Sequence, residues 1–155
     1  MTSPISTLSD EQHLISALCE LMQQEQQCLV RADSDALATV TAQKAAMVQQ
    51  MAALAALRHQ ALGAAGFAAS EAGMDAWLAS GVDTTAHRLW GALLERTREA
   101  KELNRINGML INKQMTHTQV VLNAMRTPSG ETDAGFYGPR GQTTFGGPSR
   151  RYVVG

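Results

Sequence analysis

Glu25-Gln-Gln-Cys-Leu-Val-Arg-Ala-Asp33-Ser-Asp35-Ala-Leu-Ala-Thr-Val-Thr-Ala-Gln-Lys44 contains the end of one helical pattern, a break, and the start of another. Upstream, Leu14, Leu18, Leu21, Cys28 and Ala32 recur at steps of three and four, or sums of these, with Ile15, Met22 and Leu29 widening the stripe. Downstream, Leu37, Val40, Lys44, Met47, Met51, Leu54, Arg58 and Ala61 do the same, widened by Val48, Leu57 and Leu62. Asp33-Ser-Asp35 interrupts both and offers helix caps. Two apolar stripes joined by so short a break bury each other if the chain folds back as an antiparallel hairpin. Opposed residues then have numbers of constant sum. Leu29 with Val40, Leu21 with Val48 and Leu18 with Met51 share one sum, and so do Glu25 and Lys44. An acid and a base thus intrude at one level. Either they form an ion pair that sets register more than it stabilises, or both side chains run outward past the stripe.

The 155 residues match one domain with one modest core. Apolar residues make up 45% and aromatics only 5%, so the apolar share is chiefly Ala, Leu, Met and Val, which favours helix over strand. A net charge of −1 supplies no field for nucleic acid. No apolar run approaches the roughly 18–20 residues of a membrane span. Residues 1–9 lack the basic start and apolar core of a signal peptide, which makes the cytoplasm the expected compartment. Cys19 and Cys28 fall in one helix, about 13 Å apart at 1.5 Å per residue, too far to pair within it.

Working outward, Ser9 with Gln12 reads as a capping box at the first helix start. Gly63-Ala-Ala-Gly66 ends the second helix. Ser70 to Ser80 predicts a short helix, with Trp77 covering the bundle end, and Gly81 breaks it. Asp83 or Thr84 then caps a helix running to about Arg126. At 1.5 Å per residue that helix is roughly 64 Å long. Its stripe is apolar up to Leu103 and mixed beyond, through Asn104-Arg-Ile-Asn-Gly-Met-Leu-Ile-Asn-Lys-Gln114. Asn104, Asn107 and Gln114 suit a half-exposed face, or a buried polar position that sets register. Gly108 suits a bend or the close approach of another helix. The fold expected is all-α: a helical hairpin plus a long third helix over residues 1–126, followed by a partner-binding tail over 127–155.

That tail has no apolar period and much Gly, Ser, Thr and Pro, which predicts disorder in isolation. Yet Phe136, Tyr137, Phe145 and Tyr152 are there, and aromatics dominate interface energetics. His13, His59, His87 and His117 lack metal-ligand spacing. The glycines near Gly138 and Gly141 are not followed by the Lys-Ser/Thr of a phosphate loop. No nucleophile and base come together, so neither an enzyme nor a cofactor is expected.

Asn104-x-x-Asn107-Gly108-x-Leu110-Ile111, with Phe136-Tyr137-Gly138-x-x-Gly141-Gln142 beyond it, resembles the C-terminal signature of the FlgN family of flagellar type III export chaperones. Glu25, the turn at Asp33 and Lys44 fit the family's N-terminal pattern, so the resemblance spans nearly the whole chain. Two features depart from it. Arg140 stands where the family often has an acid, and the Ala-rich segment Gly63–Ser80 resembles an insert. The resemblance implies a cytoplasmic chaperone that holds the hook-filament junction subunits FlgK and FlgL before export. It implies client binding by the end of the last helix, including Leu110, Ile111, Met115, Val121, Leu122 and Met125, together with the tail. It also implies docking to the gate protein FlhA through Tyr137. Met109, Met115 and Met125 suit a surface that accepts more than one partner. A self-associating coiled-coil protein and a sequestering regulator are the competing readings. Weak homodimerisation is compatible with any of them.

Overall fold

The computed structural model describes residues 2–126, and the chain divides into two compact units, Met1–Lys113 and Gln114–Gly155. All regular structure among the described residues is helical. A 3₁₀ turn at Pro4–Thr7 leads into α1 (Leu8–Arg31), α2 (Ser34–Ala64), α3 (Glu71–Ala79) and α4 (Thr84–Arg126). The expected tail at 127–155, with Tyr137, lies outside the described residues.

α1 and α2 pack closely as antiparallel neighbours. The turn between them is built by two residues, Ala32 and Asp33. Ala32 adopts the left-handed conformation (φ 56°), which lets the Asp33 N–H reach back to the Cys28 carbonyl at 3.0 Å. The Asp33 side chain then caps α2 by accepting from the Ala36 N–H at 3.1 Å. Just past the end of α2, Gly66 (φ +90°) turns the chain, and the Phe67 N–H bonds back to the Leu62 carbonyl. Gly81 (φ +95°) supplies the turn between α3 and α4.

The core of the first unit draws on α1, α2, α3 and α4. Leu8, Leu62 and Met74 are wholly enclosed, with Cys19, Met22, Trp77, Trp90 and Leu93 around them. Every residue of the α2 stripe from Leu37 to Ala61 is buried or half-buried.

Four local expectations need correction. Ser9 lies inside α1, whose N-cap is Thr7; the Thr7 hydroxyl donates to Glu11 Oε1 at 2.8 Å instead of capping the backbone. The centre of the α1 stripe is Leu8, Glu11, Ile15, Leu18, Met22, Glu25 and Leu29, one helical position across from the Leu14 line, and Leu14 is half-buried at its edge. Val48 and Leu57 are exposed rather than part of the hairpin seam. Apart from its own stretch of helix, no atom among the described residues lies within 4 Å of where a Cβ at Gly108 would sit, so that glycine marks no close helix approach among them.

Candidate functional site

The α1 stripe carries an acid at Glu11 and another at Glu25, two heptads apart. Each sits in a polar layer of the first unit. In the layer around Glu25, Lys44 Nζ lies 3.1 and 3.3 Å from the two carboxylate oxygens. The carboxylate also accepts from Asn107 Nδ2 at 2.7 Å, and the same amide nitrogen donates to the Met22 carbonyl at 2.8 Å. Lys44 Nζ makes a third bond, to Asn104 Oδ1 at 2.7 Å. Asn107 is therefore a fully enclosed register residue, not part of a half-exposed face (0% exposed). Glu25 is buried, and the Lys44 side chain keeps some contact with solvent. The layer joins all three long helices.

The second layer lies around Glu11. Its carboxylate takes a two-pronged contact from Arg58, Nε to Oε1 at 3.0 Å and Nη2 to Oε2 at 3.1 Å. Both side chains are almost inaccessible, 3% and 1% exposed. The geometry suits a guanidinium, whose planar fork matches a carboxylate. Arg58 Nη2 also reaches Glu71 on α3 at 2.9 Å, and its guanidinium carbon lies 4.8 Å over the Trp90 ring. His59 Nε2 lies 3.0 Å from the same Glu71 oxygen. Desolvation pushes the Glu71 carboxyl up, but hydrogen bonds from Arg58 and His59 outweigh it and hold the group below the usual carboxylate range. Desolvation likewise lowers Arg58, and its bonds to Glu11 and Glu71 more than reverse that. Arg58 thus ties α1, α2, α3 and α4 together at one level.

This second layer is absent from the sequence reading, although its signal is there. Glu11 and Arg58 have the same residue-number sum as Glu25 and Lys44. On α4, Trp90 precedes Asn104 by the same two heptads. Beginning the α1 stripe at Leu14 hides the pattern, because Glu11 then falls before its start.

The residues singled out for partner binding are elsewhere. Leu110 is half-buried and Ile111 is exposed, both in the first unit. In the second unit Met115, Val121, Leu122 and Met125 all face solvent, and Val120, which the sequence reading passed over, is exposed with them. Met125, at 77%, is the most exposed large apolar side chain among the described residues. These side chains have nothing chemical to offer beyond apolar area and the adaptable shape of methionine. The polar layers are structural in character, since every acid in them is engaged by a base. No group of three or more His, Cys, Asp or Glu side chains is placed to hold a metal among the described residues. No described helix is long and apolar enough to cross a membrane.

A family model described as FlgN protein matches residues 1–144 of the chain. No curated protein and no solved structure matches it.

Proposed function

The chain belongs to the FlgN family, and from that premise we propose that it is a flagellar type III export chaperone. It acts in the cytoplasm, without an enzymatic step. Its clients are the hook-filament junction subunits FlgK and FlgL, and it delivers them to the export gate protein FlhA. The observation that carries this reading is the exposure of large apolar side chains on α4, namely Ile111, Met115, Val121, Leu122 and Met125. Soluble proteins seldom leave such a concentration uncovered unless a partner covers it. Amphipathic client helices bury their apolar faces on surfaces of this kind; Leu110 and Ile111, in the first unit, are client contacts in their own right. Tyr137 serves the gate rather than the client.

Titration calorimetry with purified FlgK tests the reading. Leu122→Glu with Met125→Glu weakens binding by at least about tenfold, because each variant puts a charge into an apolar contact. Tyr137→Ala keeps client affinity and loses affinity for the cytosolic part of FlhA. Unchanged FlgK binding by the double variant removes the client-site assignment.

The same exposed side chains support self-association as a second reading. Sedimentation at micromolar concentration separates the two. A monomer that forms a one-to-one complex with FlgK is the expected result, and a stable oligomer indifferent to FlgK favours self-association.

A further inference from the structure

A cleft of about 560 Å³ opens in the first unit beside α2, with α3 and α4 completing its walls. Its apolar lining includes Met51, Ala52 and Ala55 from α2, Ala72 from α3, and Trp90, Leu93 and Leu94 from α4. Side chains bridge α2 and α4 at two levels that bracket this lining, Arg58 over Trp90 and Lys44 to Asn104. On each helix the two levels are two heptads apart, roughly 21 Å at 1.5 Å per residue. Between them α2 runs Ala45-Ala-Met-Val-Gln-Gln-Met-Ala-Ala-Leu-Ala-Ala-Leu57 without one charged residue, although Ala45, Val48, Ala52 and Ala56, toward the side of the helix that borders the cleft, are exposed. The outer face of a surface helix ordinarily carries charges.

Three features describe what fits. The gap between the brackets is about four helical turns long. At one bracket the buried donors Arg58 Nη1 and Trp90 Nε1 have no acceptor among the described residues. Of the exposed charges on the rim, Glu71 is paired with Arg58 and His59, while Asp75 and Lys101 are in no ion pair among the described residues. Asp75 lies one turn beyond Glu71, which is anchored to Arg58, and so marks the Arg58 end. Lys101 lies three residues before Asn104 and marks the other.

We propose that this cleft is a docking groove for one amphipathic helix of the client, about four turns long. The helix lays its apolar face on Ala52, Ala55, Leu93 and Leu94. Its basic end, with an acceptor group, lies toward Asp75, and its acidic end lies toward Lys101. The proposal rests on the chaperone reading and adds a second contact, apart from the exposed side chains of α4. The chain's own residues 127–155 match the groove poorly, since Pro128, Pro139 and Pro148 leave no four-turn run without a proline.

The test is titration of full-length protein with purified FlgK. Ala52→Glu puts a charge on the groove wall at an exposed position. Ala46→Glu puts the same charge on α2 at an exposed position outside the groove. Ala52→Glu is expected to weaken FlgK binding at least about tenfold with an unchanged melting temperature, and Ala46→Glu to leave it within about twofold. Lys101→Glu is expected to weaken binding more at low salt than at high salt. If Ala52→Glu binds like the natural chain while Leu122→Glu with Met125→Glu does not, the groove proposal is overturned and the chaperone reading stands. If the natural chain has no affinity for FlgK, both fall. If Ala52→Glu instead converts a dimer to a monomer, the occupant is a second copy and the client proposal is overturned. The same holds if removing residues 127–155 tightens FlgK binding only while Ala52 is intact, which assigns the groove to that segment.

Discussion

Glu11 and Glu25 occupy equivalent stripe positions, yet they differ in what their loss exposes. Removing the Glu11 carboxylate leaves the Arg58 guanidinium, 3% exposed, without its principal counter-ion. Lys44 is different: with 22% of its side chain exposed it can turn to solvent when Glu25 is gone, and Asn107 keeps its bond to the Met22 carbonyl. Glu11→Ala is therefore expected to destabilise the fold by about 3 kcal/mol, because the buried guanidinium keeps only Glu71, on its Nη2, and loses the acceptor of its Nε. Glu25→Ala is expected to cost about 1 kcal/mol, closer to a surface pair. Denaturant unfolding of the two variants checks this, and equal losses defeat the account of the two layers. At this scale the residue numbers place Glu25 opposite Lys44 once the hairpin is drawn. They do not show that Asn104 and Asn107 complete the layer, because those partners lie sixty or more residues away in the chain, on α4, and no period within α1 or α2 encodes it.

Two glycines that look alike in sequence behave oppositely as parts of their elements. Gly73 is buried in α3, and a Cβ there would lie 1.9 Å from the Ala68 carbonyl oxygen. Gly108 is within α4 and faces open space. Gly108→Ala is expected to raise stability by about 0.5–1 kcal/mol through helix propensity alone. Gly73→Ala is expected to lower it by several times that, since the backbone before α3 must move. Thermal melts of both variants decide it; a stabilising Gly73→Ala contradicts the close approach. Helix existence was legible here, because Ala-rich and Leu-rich sequence with a three-four period has few other solutions. The seam of α1 was placed one position off. A helix in which Leu14, Ile15, Leu18, Cys19, Leu21 and Met22 are all apolar has a wide stripe, and only its neighbours choose the centre.

Acid sensitivity belongs to the whole molecule, because the groups responsible tie elements together. Glu71 joins α3 to α2, and its carboxyl is held below its ordinary 4.5. Asp83, before α4, is held below its ordinary 3.8, chiefly by hydrogen bonds from Thr85. Each group favours its charged form more in the folded chain than in the unfolded one. Their stabilisation is thus present above the unfolded values and is lost as pH falls through the folded ones. The melting temperature is expected to fall as pH drops below about 4.5, with a shallower fall in Glu71→Gln. An identical acid limb in that variant excludes Glu71 as a contributor.

By itself the sequence determined the all-helical class, the turn at Asp33 and the opposition of α1 and α2, because these follow from local period, capping chemistry and the arithmetic of a hairpin. It carried the family signature as well. Tertiary structure alone decided that Arg58 is a buried hub, that Asn107 is enclosed, and that an uncharged face of α2 borders an open cleft. Those features depend on where α3 and α4 come to lie, and burial is a property of neighbours rather than of any residue's own position in the chain.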